Sequence, residues 1–270
     1  MSKKHRETPA VGKKILVIPD AHAHPDVGHD RFHYLGKFIV DKKPDIVISI
    51  GDWADMQSLC YYDKGTIHAE GQRYIRDIEA ANEALDITMG YVNAEVSRIR
   101  RNKQKAWKPE FHITLGNHEN RINVAQSKDP SLHGAISTDD IKFAEHGWNV
   151  VPFLEPLERE RICFQHYLVS GVMGRAVSGK HHAASLVMKA NMSCVVGHSH
   201  MYDWWEDIRA DHGKIFGCVV GCYEDPNHTP NYATHTAHHW WSGLVMLHDA
   251  KDGYCEPARY SYDYLARKYG

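Results

Sequence analysis

Five apolar, β-rich runs along this chain each end in a short polar cluster, and that pattern restricts the fold more than any other feature. Residues 13–19 lead to Asp20-Ala21-His22, and residues 45–50 lead to Gly51-Asp52-Trp53-Ala54-Asp55. Residues 111–115 lead to Gly116-Asn117-His118-Glu119, residues 161–165 to an isolated His166, and residues 193–196 to Gly197-His198-Ser199-His200. A strand followed by a carboxylate, amide or imidazole places that group at the strand's C-terminal mouth, where open α/β sheets bind ligands. Asp, His and Asn are oxygen and nitrogen donors suited to divalent Mn, Fe, Ni or Zn. No cluster contains a thiol, which argues against a structural zinc site.

Between the clusters the period changes. Residues 29–42 are spaced as an amphipathic helix, and residues 72–105 as one long helix or two, with Ile75, Ile78, Leu85, Met89, Val92, Val96 and Ile99 on one stripe. Helices are also expected over 120–127, 138–146 and 180–190. Strands are expected over 14–19, 45–50, 111–115, 149–153, 161–171 and 193–196. Beyond Tyr202 the helical period fades into short β-rich runs at 214–221, 243–248 and 256–262. Alternating strands and helices followed by a strand-rich quarter suit an α/β fold of two face-to-face mixed sheets with helices outside. Residues 1–12 are expected to form a flexible leader, and residues 13–270 a single domain.

Composition narrows the function classes. With 32 Lys and Arg against 34 Asp and Glu, no global basic field points to nucleic acid. The basic N-terminus lacks an apolar core, so it is no signal peptide, and no apolar run is long enough for a membrane span. A cytoplasmic protein with no membrane partner is the default expectation. The six cysteines show no Cys-x-x-Cys pairing, and Cys163 and Cys194 read as small buried hydrophobes. The dense basic stretch 98–108 fits either a phosphate-backbone patch with Trp107 for stacking or, with more weight, a solvated helix end.

Taken in order, the five clusters resemble the signature of the calcineurin-like metallophosphoesterase superfamily. That resemblance implies a four-layer αββα sandwich and two divalent metal ions, with manganese first and Fe, Ni, Zn or Mg as alternatives. It implies that Asp20, His22 and His200 hold one metal and Asn117, His166 and His198 the other, with Asp52 bridging. It implies that His118 is the leaving-group acid, oriented by Asp55, in hydrolysis of a phosphate ester by hydroxide between the metals. Protein phosphatases of this superfamily carry an Arg after the second cluster and another before Gly-Asn-His-Glu. Here those positions hold Met56, Gln57 and Leu115, which turns the expectation toward phosphodiesters of nucleotide or nucleic-acid type. A phosphomonoesterase or protein phosphatase, or a non-catalytic scaffold, are the alternatives. Arg121 either contacts substrate phosphate or caps an ion pair; His24 either faces the site mouth or turns the chain before Pro25. Lys180, His181 or His182 open a helix and can meet an anion there. Aromatics and histidines over 227–241, including Tyr232, His235 and Trp240, either cover substrate or pack a sheet edge.

Overall fold

The computed structural model describes residues 11–228, 233 and 236–270. The first ten leader residues, Tyr232 and His235 lie outside the described residues. Gly12, assigned to the leader, is tied down: its N–H donates to Asp249 Oδ1 at 2.7 Å.

Strand β1 (Lys13–Ile18) pairs in parallel with β2 (Ile46–Ser49), β2 with β3 (Glu110–Thr114), and β3 with β4 (Asn149–Val151). On the other side of β1 the long antiparallel strands β12 (Gly243–Lys251) and β13 (Tyr254–Ser261) complete a six-stranded sheet. A second sheet runs β10 (Tyr202–Ile208), β11 (Lys214–Val220), β9 (Cys194–Val196), β6 (Ile162–Phe164) and β5 (Leu157–Arg159). A two-stranded hairpin, β7 (Val169–Ser170) and β8 (Arg175–Ala176), stands apart.

Period-two alternation sorts the side chains into layers. Ile15 and Val17 of β1 join Ile46, Ile48, Phe216, Cys218, Val245 and Leu247 between the two sheets. Leu16 and Ile18 face the other way, against Phe32, Leu35 and Phe38 of helix α1 (Asp30–Lys42) and Ala81, Leu85 and Met89 of α2 (Tyr74–Arg101). On the far face of the second sheet, Cys163, Cys194, Val196 and Val219 meet Ala183 and Leu186 of α4 (His182–Ala190). Helix, sheet, sheet, helix is the expected sandwich. Burial on both faces explains why β1 and β2 read as unbroken apolar runs.

Within the segment 72–105 lies one 28-residue helix, Tyr74–Arg101. Its Arg98, Arg100 and Arg101 lie in the last turn, where cations suit the helix dipole. Trp107 is held inward, donating its indole N–H to the Pro44 carbonyl at 2.9 Å, so the basic stretch is a helix end rather than a stacking platform. A third helix, α3 (Asn120–Lys128), follows the His118 cluster.

Several expectations need correction. Residues 138–146 form no continuous helix, only a 3-10 turn at Thr138–Asp140 and a separate turn in which the His146 N–H donates to the Lys142 carbonyl. Asp140 bends back to accept from the Ser137 N–H, and Asn82 Oδ1 takes the Lys142 N–H, so the helical ladder ends there. The expected strand over 161–171 breaks after Phe164, because Gln165 donates its amide to the Leu154 carbonyl and the chain turns out at His166. Strands β5 and β10 were not expected. Neither was the C-terminal helix α5 (Tyr262–Tyr269), although Ser261 caps it by accepting from the Tyr264 N–H. The six cysteines are free thiols, five of them buried. Among the described residues no helix is long and apolar enough to cross a membrane.

Candidate metal centre

All five polar clusters emerge on one edge of the sandwich, where backbone conformation and buried hydrogen bonds aim them inward. His22, Asp52, His198 and His200 have positive φ (44°, 48°, 68° and 56°). A non-glycine residue there costs roughly 1–2 kcal/mol, and such strain gathers where a side chain must point against the local run of the chain. Buried Glu119 holds the second and third clusters together. Its Oε2 accepts from the N–H groups of Asp52 (3.0 Å) and Gly116 (2.8 Å), and its Oε1 from Ala54 (2.9 Å). Asp52 Oδ1 accepts from the His118 N–H, and Asp20 Oδ2 from the His198 N–H, both at 2.8 Å. Two glycines make room for these carboxylates: a Cβ at Gly116 would stand 2.0 Å from Asp52 Oδ1, and one at Gly197 2.2 Å from Asp20 Oδ1. Beneath the first loop, buried Arg31 donates to the carbonyls of Gly28, Ala21 and His22.

Among the described residues four groups of metal-capable side chains result, His22 with Asp55 and His118, His200 with Cys222 and Glu224, and the two that hold the expected ligands, Asp20 with His22 and His200, and Asp52 with His166 and His198. Asp52 stands between the last two, its Oδ2 3.2 Å from His166 Nε2 and 3.8 Å from His22 Nε2. His166 Nδ1 faces the Ile50 carbonyl at 3.0 Å, which keeps the proton of the neutral ring there and leaves Nε2 facing Asn117 Oδ1 at 2.8 Å. Three electron-pair donors converge there with no proton between them once the imidazole is neutral. In the other group Asp20 Oδ1, His22 Nε2 and His200 Nδ1 are buried with no hydrogen-bond partner among the described residues. His200 turns Nε2 to Asp20 Oδ2 at 3.2 Å, and since buried polar atoms are normally satisfied, a cluster of this donor chemistry that leaves such atoms unpartnered fits a divalent cation. The charges agree. Burial pulls the His22 and His166 imidazoles toward neutrality, but Glu224 and Asp55 raise His22 to about 10, and Asp52 and Asp20 raise His166 to about 9. For Asp52 burial favours the acid, yet His166 and His118 hold the carboxyl well below its usual range.

His118 lies at the edge of the two groups of expected ligands, its ring edge-on to His22 with centroids 4.4 Å apart. Its Nδ1 is 3.0 Å from Asp55 Oδ1 and 2.6 Å from the Asp55 carbonyl. Asp55 Oδ1 also meets His22 Nδ1 at 3.1 Å, so one carboxylate steadies two imidazoles. Arg121, in the first turn of α3, donates Nη1 to the carbonyls of Asp55 and Met56 and Nη2 to His118 Nε2. In this state it is bound to protein groups. His118, Asp55 and Arg121 open onto a cleft of about 670 Å³, walled also by His24, Asp26, Tyr62, Asp63, Ile67 and Glu70.

His24 belongs to this wall: its Nε2 is 2.6 Å from Gln57 Oε1. His181 is exposed at the N-cap of α4 and makes no side-chain cap bond. The inward residue of that pair is buried His182, whose Nδ1 is 3.3 Å from Ser199 Oγ, between the two histidines of the last cluster. Trp240 packs on His200 with centroids 4.2 Å apart, so part of the 227–241 segment borders the site. Sequence reasoning missed Glu119, Arg31 and Glu224. Glu119 was legible as the residue completing Gly-Asn-His-Glu; Glu224 carried no signal, lying far beyond the last cluster in a Cys-Tyr-Glu-Asp-Pro turn.

The order of these clusters, the sandwich beneath them and the converging Asp and His donors define a metal-dependent phosphoesterase. The calcineurin-like phosphoesterase family matches residues 13–264, and the chain belongs to that family. Comparison with the curated proteins gives no match.

Proposed function

We propose that this protein is a dinuclear metal-dependent phosphodiesterase. Asp20, His22 and His200 hold one divalent cation, Asn117, His166 and His198 the other, and Asp52 lies between them. When bound, the cations supply Lewis-acid charge against the phosphate and lower the pKa of water beside it. The chain's own residues do the rest. Asp55 holds the His118 ring toward the cleft, where the imidazole meets the departing oxygen as general acid. Burial of Asp20 and Asp52 keeps bulk water from screening their charge.

One observation carries the preference for diesters: the cleft beside His118 is roomy, and Arg121, the one Arg or Lys among the described residues that line it, is already engaged. A diester needs space for a second ester arm and carries one negative charge. A monoester carries nearly two, and would meet Asp63 and Glu70 on the walls, while the guanidinium of Arg76 is bound to Asp26 at 2.7 Å. Aromatic Tyr62 and apolar Ile67 offer a face to a nucleoside or other apolar arm.

The test is a paired assay on mono- and bis-para-nitrophenyl phosphate with manganese, run beside Asp52→Asn. Faster bis-ester cleavage, abolished in the variant, is expected. Cleavage of the mono-ester alone would overturn the diester reading.

A further inference from the structure

Buried Glu224 belongs to none of the five clusters, and its position has a specific backbone cause. After β11 the chain leaves the second sheet and crosses to the first at the mouth of the site. Cys222 forms isolated bridges to both Asp20 and Ser242, and the Tyr223 N–H donates to the Asp20 carbonyl at 2.7 Å. The crossing lays Glu224 alongside the loop that carries Asp20 and His22. Its Oε1 ends 3.4 Å from His200 Nδ1 and 3.9 Å from His22 Nε2. All three atoms are buried without a hydrogen-bond partner among the described residues.

These spacings discriminate between two roles. A hydrogen bond would draw N and O to about 3 Å with the proton aligned. Donors bound about 2.1 Å from one shared cation stand roughly 3–4 Å apart. The Glu224 carboxylate is too distant for a hydrogen bond to either ring; His200 turns Nε2 to Asp20 Oδ2 at 3.2 Å, so the spacing that fits a shared cation is the 3.9 Å to His22 Nε2, with Glu224 standing against the other edge of the His200 ring. It also groups with His200 and Cys222 as a set able to grip an ion. His22 and His200, the ion-pair partners of Glu224, must give up their protons to bind a cation, and a contact from the carboxylate to that cation replaces the lost pairing.

We infer that Glu224 is a further ligand of the cation held by Asp20, His22 and His200, and that its charge tilts the centre toward monoanionic esters. This rests on the dinuclear reading above. Two divalent cations against Asp20 and Asp52 leave two net positive charges; a third carboxylate leaves one. A centre with one net charge matches a phosphodiester and attracts a dianionic monoester less.

The experiment is equilibrium titration of metal-stripped protein with Mn²⁺, followed by electron paramagnetic resonance, together with the visible spectrum of the Co²⁺-loaded protein. Glu224→Gln keeps the side-chain volume, and circular dichroism checks its fold. It is expected to weaken one of the two Mn²⁺ affinities by at least about tenfold to a hundredfold, leave the other unchanged, and alter the Co²⁺ spectrum. Glu224→Asp, which keeps the charge, should recover part of that affinity. The ratio of bis- to mono-ester turnover should fall by about tenfold in Glu224→Gln, a change of about 1.4 kcal/mol in relative barrier. Two Mn²⁺ affinities equal to wild type would overturn the ligand role. So would a loss of affinity in Cys222→Ser with none in Glu224→Gln, which would make the thiol the ligand. Weakened Mn²⁺ binding with an unmoved ratio would overturn the charge argument. If wild-type protein prefers the mono-ester, the diester reading fails while the Mn²⁺ titration still judges Glu224.

Discussion

Arg121 aims its guanidinium at His118, with Nη2 2.9 Å from Nε2. A guanidinium only donates, so in this arrangement Nε2 accepts from Arg121 while Nδ1 faces Asp55, and Arg121 must release Nε2 before that nitrogen can carry a proton to the departing oxygen. The catalytic ring is thus gripped at both nitrogens. Arg121→Ala is expected to lower kcat by about tenfold to a hundredfold, a part of the general-acid contribution, with metal content unchanged. Arg121→Lys should recover little, since an ammonium cannot span His118 and the Asp55 and Met56 carbonyls together. Steady-state kinetics alongside elemental analysis measures both; loss of metal in Arg121→Ala would contradict this role.

Asp55 joins chemistry to metal binding. Its Oδ1 meets His22 Nδ1 at 3.1 Å and His118 Nδ1 at 3.0 Å. Asp55→Asn should therefore do what His118→Ala does not. Losing the carboxylate behind His22 is expected to weaken one metal by about tenfold to a hundredfold, as removal of such supporting partners does, and to reduce turnover as well. His118→Ala should keep both metals and lose turnover most on esters with poor leaving groups. Metal stoichiometry of the two purified variants separates these outcomes.

Much of this was legible in the sequence, and the boundary between what was and was not is physical. Strands β1, β2 and β3 are buried on both faces, so their apolar runs are unmistakable, and the polar residue ending each run marks the mouth. Strand β10 was missed because it lies at a sheet edge: residues 205–208 are exposed, and Tyr-Asp-Trp-Trp-Glu-Asp shows no clean alternation. Helix α5 is short, and only Leu265 and Tyr269 are buried, too few to set a period. Asp20, Asp52 and the histidines announced themselves by position after a strand. Glu224 and Arg31 reach the site through tertiary contacts, which no local pattern encodes.

Gly116 and Gly197 are expected to be indispensable for steric reasons. Gly116→Ala would thrust a Cβ to 2.0 Å from Asp52 Oδ1 and 2.4 Å from the Asp52 nitrogen, and Gly197→Ala one to 2.2 Å from Asp20 Oδ1. Each must displace a carboxylate of the centre. Overpacking of this kind costs about 1–3 kcal/mol, so a lowered Tm and a weakened or lost metal are expected in both. Gly90→Ala, on α2 with open space around its added Cβ, is the control and should be neutral or slightly stabilising. Calorimetry with metal analysis decides; full metal occupancy in Gly116→Ala would show that the Asp52 carboxylate is not confined as described.

Metal uptake should be strongly pH-dependent, with a sign set by the histidines. In metal-free protein His22 is raised to about 10 and His166 to about 9, because the surrounding carboxylates outweigh burial. Both lie above the ordinary value of 6.5, so protonation stabilises the metal-free fold. That stabilisation is complete below pH 6.5 and is lost as pH rises through 9 and then 10. A divalent cation must expel these protons to reach the lone pairs. At pH 7 binding should release on the order of two protons, and affinity should climb with pH until about 9–10. Titration calorimetry of Mn²⁺ into metal-stripped protein, in buffers of different ionisation enthalpy, counts the protons directly. Thermal melts should show metal protecting the fold increasingly as pH rises from 7 to 9. A binding heat independent of buffer would mean that the imidazoles are already neutral, and that the carboxylates do not govern their charge.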